Sequence, residues 1–133
     1  MIAQTVAQWH NLVTNRDPTA LDAFLADNAI FHSPILHAPQ VGKEITTLYL
    51  SAALTVFYND TFKYVREIVS EQDAVLEFQV VIDGIIVNGV DMMTCNEEGQ
   101  VVDFKVMLRP LKAVHLIQQK MLTMLQTMGF WEA

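Results

Sequence analysis

The sequence of 133 residues predicts an α+β domain in which helices cover one face of a curling antiparallel sheet. Three observations support this fold class. Apolar residues recur at helical spacing before Thr61 and after Pro110, and they alternate with polar residues between these two positions. The polar loop 96–99 ends in Gly99 between two apolar runs, which is typical of a β-hairpin.

The helical segments have recognisable boundaries. Asp17 is a suitable N-cap, and Pro18 fits the first position of a short second helix that ends near Asp27 and Asn28. Gly42 precedes a third helix, and Gly129 follows the last one. The first, third and last helices are predicted over residues 2–15, 43–57 and 111–128.

The strands are predicted from the change of period. A short strand over residues 29–33 ends at Pro34, which cannot donate to a strand ladder. The next two strands, 62–69 and 74–83, are joined by a turn over 70–73. Residues 84–88 are expected to turn or bulge into the hairpin 89–110.

The hairpin predicts which side chains face the core. If Cys95 opposes Gln100, then Met93 opposes Val102 and Asp91 opposes Phe104, and opposed residues share one side of a sheet. The expected core face carries Asp91, Met93, Cys95, Val102, Phe104, Val106 and Leu108. Asp91 is the one carboxylate on it. Three placements stay open for Asp91: a structural hydrogen bond, a place in a ligand pocket, or an exposed position after a bulge.

Composition excludes several function classes. The net charge of −7 and the absence of a Lys and Arg cluster argue against a nucleic-acid partner. No apolar run reaches the length of a membrane span, and the first residues lack signal-peptide features, so a cytoplasmic protein without a membrane partner is expected. The apolar fraction of 52% predicts either a lined cavity or a subunit interface in addition to the core.

Metal and thiol chemistry are not expected. Cys95 is the only cysteine, which leaves no intrachain disulfide and no cysteine metal site. The four histidines show no metal-ligand spacing, so no metal is predicted.

Two blocks of the sequence carry a family resemblance. The first block, residues 6–34, reads VAQWHNLVTNRDPTALDAFLADNAIFHSP. The second block is residues 91–108, in which Gly99 follows Asp91 by eight positions. Both blocks resemble the nuclear transport factor 2-like superfamily, which includes ketosteroid isomerases and SnoaL-like polyketide cyclases. The resemblance covers about the first 109 residues. It implies a single domain over residues 1–133, with a cone-shaped sheet wrapped around the N-terminal helices and an extra C-terminal helix.

The isomerase residues are mostly not retained. The oxyanion-hole aspartate of that family falls on Asp91, but its tyrosine falls on Trp9 and its general base falls on Ser33. A serine without a strong base cannot abstract a proton beside a carbonyl at a useful rate. A standard ketosteroid isomerase is therefore not expected.

The predicted function is binding of a small apolar carbonyl-containing molecule in the cone cavity, with acid/base transformation of that molecule left open. No cofactor is expected. An enzyme of this kind would be a cofactor-independent isomerase, cyclase or dehydratase. The predicted site has Asp91 as the catalytic residue and a pocket formed by Trp9, Ser33, Tyr49, Phe31, Met93 and Phe104.

The alternative prediction is a non-catalytic interaction module with a filled cavity. A void of about 300 Å³ or more would favour ligand binding, and a collapsed core would favour the module. In both versions a homodimer through the outer sheet face is expected, because apolar residues such as Val90, Met92 and Met107 lie on that face.

Overall fold

The fold is known from a computed structural model that describes residues 1–129. The predicted single domain of 1–133 includes four more residues, 130–133, which lie outside this range. The helices are α1 (Ile2–Asn15), α2 (Leu21–Phe24), α3 (Lys43–Val56) and α4 (Leu111–Thr127). The strands are β1 (Leu25–His32), β2 (Gln40–Val41), β3 (Lys63–Ser70), β4 (Asp73–Ile82), β5 (Ile85–Cys95) and β6 (Val101–Arg109).

The six strands form one curved sheet in the order β2-β1-β6-β5-β4-β3, which does not close into a barrel. All neighbouring pairs are antiparallel except β1 and β6, which are parallel. Helix α1 contacts β3 and β4, α3 contacts β1, and α4 contacts α3, β5 and β6. The predicted α+β class with a curved sheet, N-terminal helices and a closing helix is confirmed.

The second helix is shorter than predicted, and the first strand is longer. Asp17 caps a 3₁₀ turn over Pro18–Ala20, where its Oδ1 accepts a hydrogen bond from the Thr19 amide at 3.0 Å. Only one turn of α-helix, α2, follows. The prediction placed Leu25 in this helix, but Leu25 begins β1 because it is fully buried in extended backbone opposite Val101 of β6.

The predicted hairpin register is wrong. Met93 pairs with Phe104 and Asp91 pairs with Val106, while Cys95 pairs with Val101. The loop has five residues, 96–100, and a bulge leaves one residue of β6, Val102, without a partner. Because of the bulge, Val101 is buried and Val102 is not, whereas the prediction had these two reversed.

The turn predicted over 84–88 is only two residues long. Asp83 and Gly84 have φ values of 51° and 77°, as in the tight hairpin turns that Asp-Gly favours, and β5 already starts at Ile85. The longer β5 pairs with β4 from Ile85 to Thr94. Asp91 is therefore held in the middle of the sheet, away from any edge.

Candidate functional site

A chain of hydrogen bonds links two buried side chains, Trp9 and Asp91, through the half-buried Tyr64. The indole N–H of Trp9 donates to the hydroxyl oxygen of Tyr64 at 2.7 Å, and that hydroxyl donates to Oδ2 of Asp91 at 2.7 Å. Helix α1 supplies Trp9, whereas β3 and β5 supply Tyr64 and Asp91. The chain therefore ties the first helix to two strands that β4 separates.

The carboxyl group of Asp91 is only 3% exposed. Burial raises its pKa to about 7, although the hydrogen bond from Tyr64 and the nearby indole N–H of Trp9 work in the opposite direction. Burial is also the main reason why the pKa of Tyr64 lies well above its ordinary value, and the charge of Asp91 adds to this effect. Near neutral pH the carboxyl is thus divided between its neutral and ionised forms, while Tyr64 keeps its proton.

Aromatic rings occupy the space around Trp9. The indole lies 5.4 Å from the ring of Phe24 and 5.0 Å from that of Phe104, and Tyr58 meets it edge-on at 6.4 Å. Trp9 itself is 1% exposed. This part of the cone is therefore filled by side chains.

An apolar cavity of about 200 Å³ lies to one side of these rings, beneath α4. Three layers surround it: the end of β1 with the loop after it, one face of α3, and the inner face of α4. Its lining residues are Phe31, Ser33, Pro34, Ile35, Leu36, Tyr49, Ala53, Phe57, Val106, Ile117, Gln118, Met121, Leu122 and Leu125.

Packing holds the aromatic wall of this cavity in place. The rings of Phe31 and Tyr49 stack with their centres 5.3 Å apart, and Phe31 also stacks on Phe104 at 6.4 Å. Across from them, Ile117 of α4 is fully buried and Leu125 is nearly so. The helix that follows the sheet therefore forms one wall of the cavity.

Polar groups are few in the lining. The Ser33 Oγ accepts hydrogen bonds from the amides of Ile35 at 3.0 Å and Leu36 at 3.4 Å, so the loop fixes the position of the hydroxyl. A serine hydroxyl has one proton to donate besides the bonds that it accepts. Tyr49 and Gln118 supply the other polar groups, and burial raises the pKa of Tyr49.

The predicted pocket residues fall into two groups. Phe31, Ser33 and Tyr49 line the cavity. The core buries the other four, which are Trp9, Met93, Phe104 and Asp91, and these four do not line the cavity. The aromatic rings packed around Trp9 fill the space between these four residues and the cavity. The cross-strand partner of Asp91, Val106, does line it.

Of the three placements left open for Asp91, the structure shows the hydrogen-bonded one. A role of Asp91 toward a ligand stays a prediction. The prediction missed the cavity residues on α4. Ile117 and Met121 are four residues apart and so lie on one side of α4, but this spacing does not indicate that the side faces a cavity.

Other ionisable groups lie away from the cavity. Nε2 of His32 is 2.9 Å from Oδ2 of Asp103, on the outer sheet face opposite to Phe31. Within residues 1–129, no three His, Cys, Asp or Glu side chains converge in a way that could hold a metal ion. In the same part of the chain, no helix has the length and apolar character needed to cross a membrane.

Comparison with known proteins places the chain in a family. Residues 6–104 match the SnoaL-like domain. A solved structure described as a steroid delta-isomerase, from Pseudomonas aeruginosa, is 34% identical; the match covers 95% of this chain and 92% of that one, with a TM-score of 0.89. No curated protein matches the chain.

Two further solved structures are similar. An uncharacterised protein with a cystatin-like fold from Silicibacter pomeroyi is 30% identical over 92% of this chain and 86% of that chain, with a TM-score of 0.85. An NTF2-like protein of unknown function from Mesorhizobium loti is 19% identical over 82% of this chain and 91% of that one, with a TM-score of 0.71, and supports the fold alone. The chain therefore belongs to the SnoaL-like domain family, within the nuclear transport factor 2-like superfamily.

Proposed function

We propose that the protein binds a small apolar molecule with one hydrogen-bond acceptor in the cavity beneath α4. The observation that carries this proposal is the cavity of about 200 Å³, with its walls of aromatic and aliphatic side chains. The cavity opens to solvent beside Leu36 and Leu122, and a concave apolar site with few polar groups is the form that small-molecule sites usually take. Its volume meets neither prediction made from the sequence, because it is below about 300 Å³ but is not collapsed.

The volume limits the size of the ligand. An engineered apolar cavity of about 150 Å³ holds one benzene molecule. A cavity of about 200 Å³ therefore accommodates one substituted ring or an aliphatic group of similar size. This volume argues for a ligand much smaller than a steroid. Ser33 at the position of the isomerases' general base argues against steroid isomerisation.

The polar groups limit the chemistry of the ligand. None of the lining residues within 1–129 is Lys or Arg, so a carboxylate or phosphate would find no compensating charge among them. The fixed hydroxyl of Ser33 can donate to a neutral acceptor. A ketone, aldehyde or ester on a single ring fits both the apolar walls and this donor.

The proposal can be extended from binding to acid/base transformation of the ligand by Asp91. A pKa of about 7 suits a group that exchanges protons at neutral pH. The carboxyl, however, is bonded to Tyr64 and lies behind the cavity wall, next to Val106. Turnover therefore requires the ligand to reach past Val106, whereas binding does not. For this reason we propose binding as the main function.

Two probes that differ in one group test the binding proposal. Acetophenone has one ring and one carbonyl, and in ethylbenzene a methylene replaces that carbonyl. We expect both to raise the melting temperature, because a ligand that binds only the folded state stabilises it. Acetophenone should bind about five-fold more tightly through one hydrogen bond, and Ser33→Ala should remove that difference.

A matched pair of variants locates the binding. Ala53 lines the cavity from α3, so Ala53→Leu should fill part of the void and abolish the stabilisation by both probes. Ala3→Leu makes the same change on the exposed side of α1 and should leave both responses intact. Equal responses of the two variants, or no response of the unmodified protein to either probe, would remove the case for this ligand site.

A homodimer through the outer sheet face is a second proposal, supported by exposed apolar side chains. Val81, Ile86 and Met107 lie on that face with exposed fractions of 39%, 55% and 50%. Sedimentation should give twice the chain mass of 15.0 kDa at micromolar concentration, and Met107→Lys should shift the equilibrium to the monomer. If the unmodified protein sediments as a monomer, this proposal and the scaffold function that depends on it are lost.

We also place the protein in the cytoplasm. Its single cysteine, Cys95, is buried and free, which is compatible with a reducing compartment. Fractionation of cells that express the chain would test the location.

A further inference from the structure

A second cleft lies between α1 and the start of β3 and shares no described lining residue with the α4 cavity. We call it the α1–β3 cleft; its volume is about 270 Å³. His10 of α1 and Arg16, the residue after α1, line it on one side, and Lys63 and Tyr64 of β3 line it on the other. Tyr58 and Phe62 form its aromatic floor.

The charges of this cleft are unusual for a chain with a net charge of −7. The chain has only eight Lys and Arg residues, and two of them, Arg16 and Lys63, meet at this cleft together with the imidazole of His10. None of the described residues that line it carries a carboxylate. The described lining of the cleft therefore carries the charges of Arg16 and Lys63 and no negative charge.

Nearby acids leave this charge largely available. Arg16 meets Asp60 only at 3.8 Å, and the side chain of Asp60 is fully exposed, so this pair is weak. Glu67 lies 3.0 Å from His10, so its carboxylate offsets the positive charge of a protonated imidazole there. No salt bridge to Lys63 is found among the described residues.

We propose that the α1–β3 cleft binds a small monocarboxylate with an apolar body. Arg16 and Lys63 attract the carboxylate at the rim, and the rings of Tyr58 and Phe62 contact the apolar part. An aromatic floor and a cationic rim occur together in this cleft, whereas the described lining of the α4 cavity has neutral polar groups and no lysine or arginine. The two sites therefore select different molecules, one charged and one neutral.

Benzoate and benzyl alcohol are the probes that test the inference, because both have one ring and only benzoate is charged. We expect isothermal titration at low salt to give tighter binding of benzoate than of benzyl alcohol. Amide resonances near His10 and Lys63 should shift during a benzoate titration. Lys63→Gln should weaken benzoate binding about three-fold, and combination with Arg16→Gln about ten-fold, since each removes one exposed charge interaction.

Two controls separate this site from the α4 cavity. Lys105→Gln removes one positive charge from the outer sheet face and should not change benzoate binding. Ala53→Leu, which fills the α4 cavity, should not change it either. Benzoate binding that persists in the Arg16→Gln and Lys63→Gln double variant, that is lost in Ala53→Leu, or that is absent from the unmodified protein overturns the inference.

Discussion

The hydroxyl of Tyr64 donates to the carboxyl of Asp91 across a strand that belongs to neither residue. Tyr64 lies on β3 and Asp91 on β5, and β4 runs between them. The bond of 2.7 Å therefore crosses the concave face of the sheet and reaches the carboxyl inside the apolar core. A buried carboxyl without such a partner would cost several kcal/mol, so Tyr64 stabilises the fold as well as the position of Asp91.

Replacement of Asp91 by Asn should change how stability depends on pH. The pKa of Asp91 is about 7 in the folded protein, above its ordinary value of 3.8. The stability that this group contributes is therefore complete below pH 3.8 and is lost as the pH rises toward 7. Relative to the unmodified protein, Asp91→Asn should gain about 2 kcal/mol in free energy of unfolding between pH 5 and pH 8.

Chemical denaturation at the two pH values measures this gain. Glu97→Gln, in the exposed hairpin loop, removes a carboxylate outside the core and serves as the control. A difference between Asp91→Asn and the unmodified protein that stays constant from pH 5 to pH 8 would contradict a raised pKa at Asp91.

Removal of the Tyr64 hydroxyl should cost more stability while Asp91 is present than after Asp91 is replaced by Asn. Tyr64→Phe keeps the ring but leaves Asp91 without its donor and Trp9 without its acceptor. We expect a loss of about 2 kcal/mol in free energy of unfolding, and a smaller loss in the Asp91→Asn background. A double-mutant cycle at pH 8 measures the coupling, and strictly additive effects would show that the two groups do not interact.

Gly89 is required by close packing on β5. A Cβ at this position would lie 2.6 Å from the carbonyl oxygen of Met107 and 2.7 Å from the ring of Phe78. Gly89→Ala should therefore cost about 2 kcal/mol through overpacking, despite the higher strand propensity of alanine. Val65→Ala, at an exposed position of β3, should cost less, and thermal unfolding of the two variants compares them.

Thr5 joins α1 to the hairpin loop. Its hydroxyl lies 2.7 Å from the carbonyl oxygen of Gly99 and 3.1 Å from that of Met1, and the shorter distance favours donation to Gly99. Thr5→Val keeps the shape and should lose about 1 kcal/mol in free energy of unfolding. Thr14→Val, at an exposed position of the same helix, controls for helix propensity; equal losses in the two variants would assign no role to the bond.

Much of the fold could be predicted from the sequence, because periodicity and capping residues determine it locally. The bounds of α1, α3 and α4 differ from the predicted ones by one residue at most. The hairpin register could not be predicted in the same way. The bulge at Val102 depends on how the five-residue loop closes, and alternation alone does not reveal an extra residue.

The candidate site could be predicted only in part. Alternation places Asp91 on the inner face, as observed, but it does not tell which inward side chains meet each other and which meet a void. Phe104 and Phe31 both face inward, yet Phe104 packs on Trp9 whereas Phe31 lines the cavity. This difference depends on where α4 packs over the sheet, and no residue spacing within the sheet encodes that placement.

The most direct test of the central claim is a crystal structure of the unmodified protein under xenon pressure. Xenon enters apolar cavities that are empty and accessible. We predict a xenon site beneath α4, in contact with Phe57, Val106 and Met121, and its loss in Ala53→Leu. A cavity that stays empty under pressure, or in which side chains of α4 have closed the space, would contradict a ligand site beneath this helix.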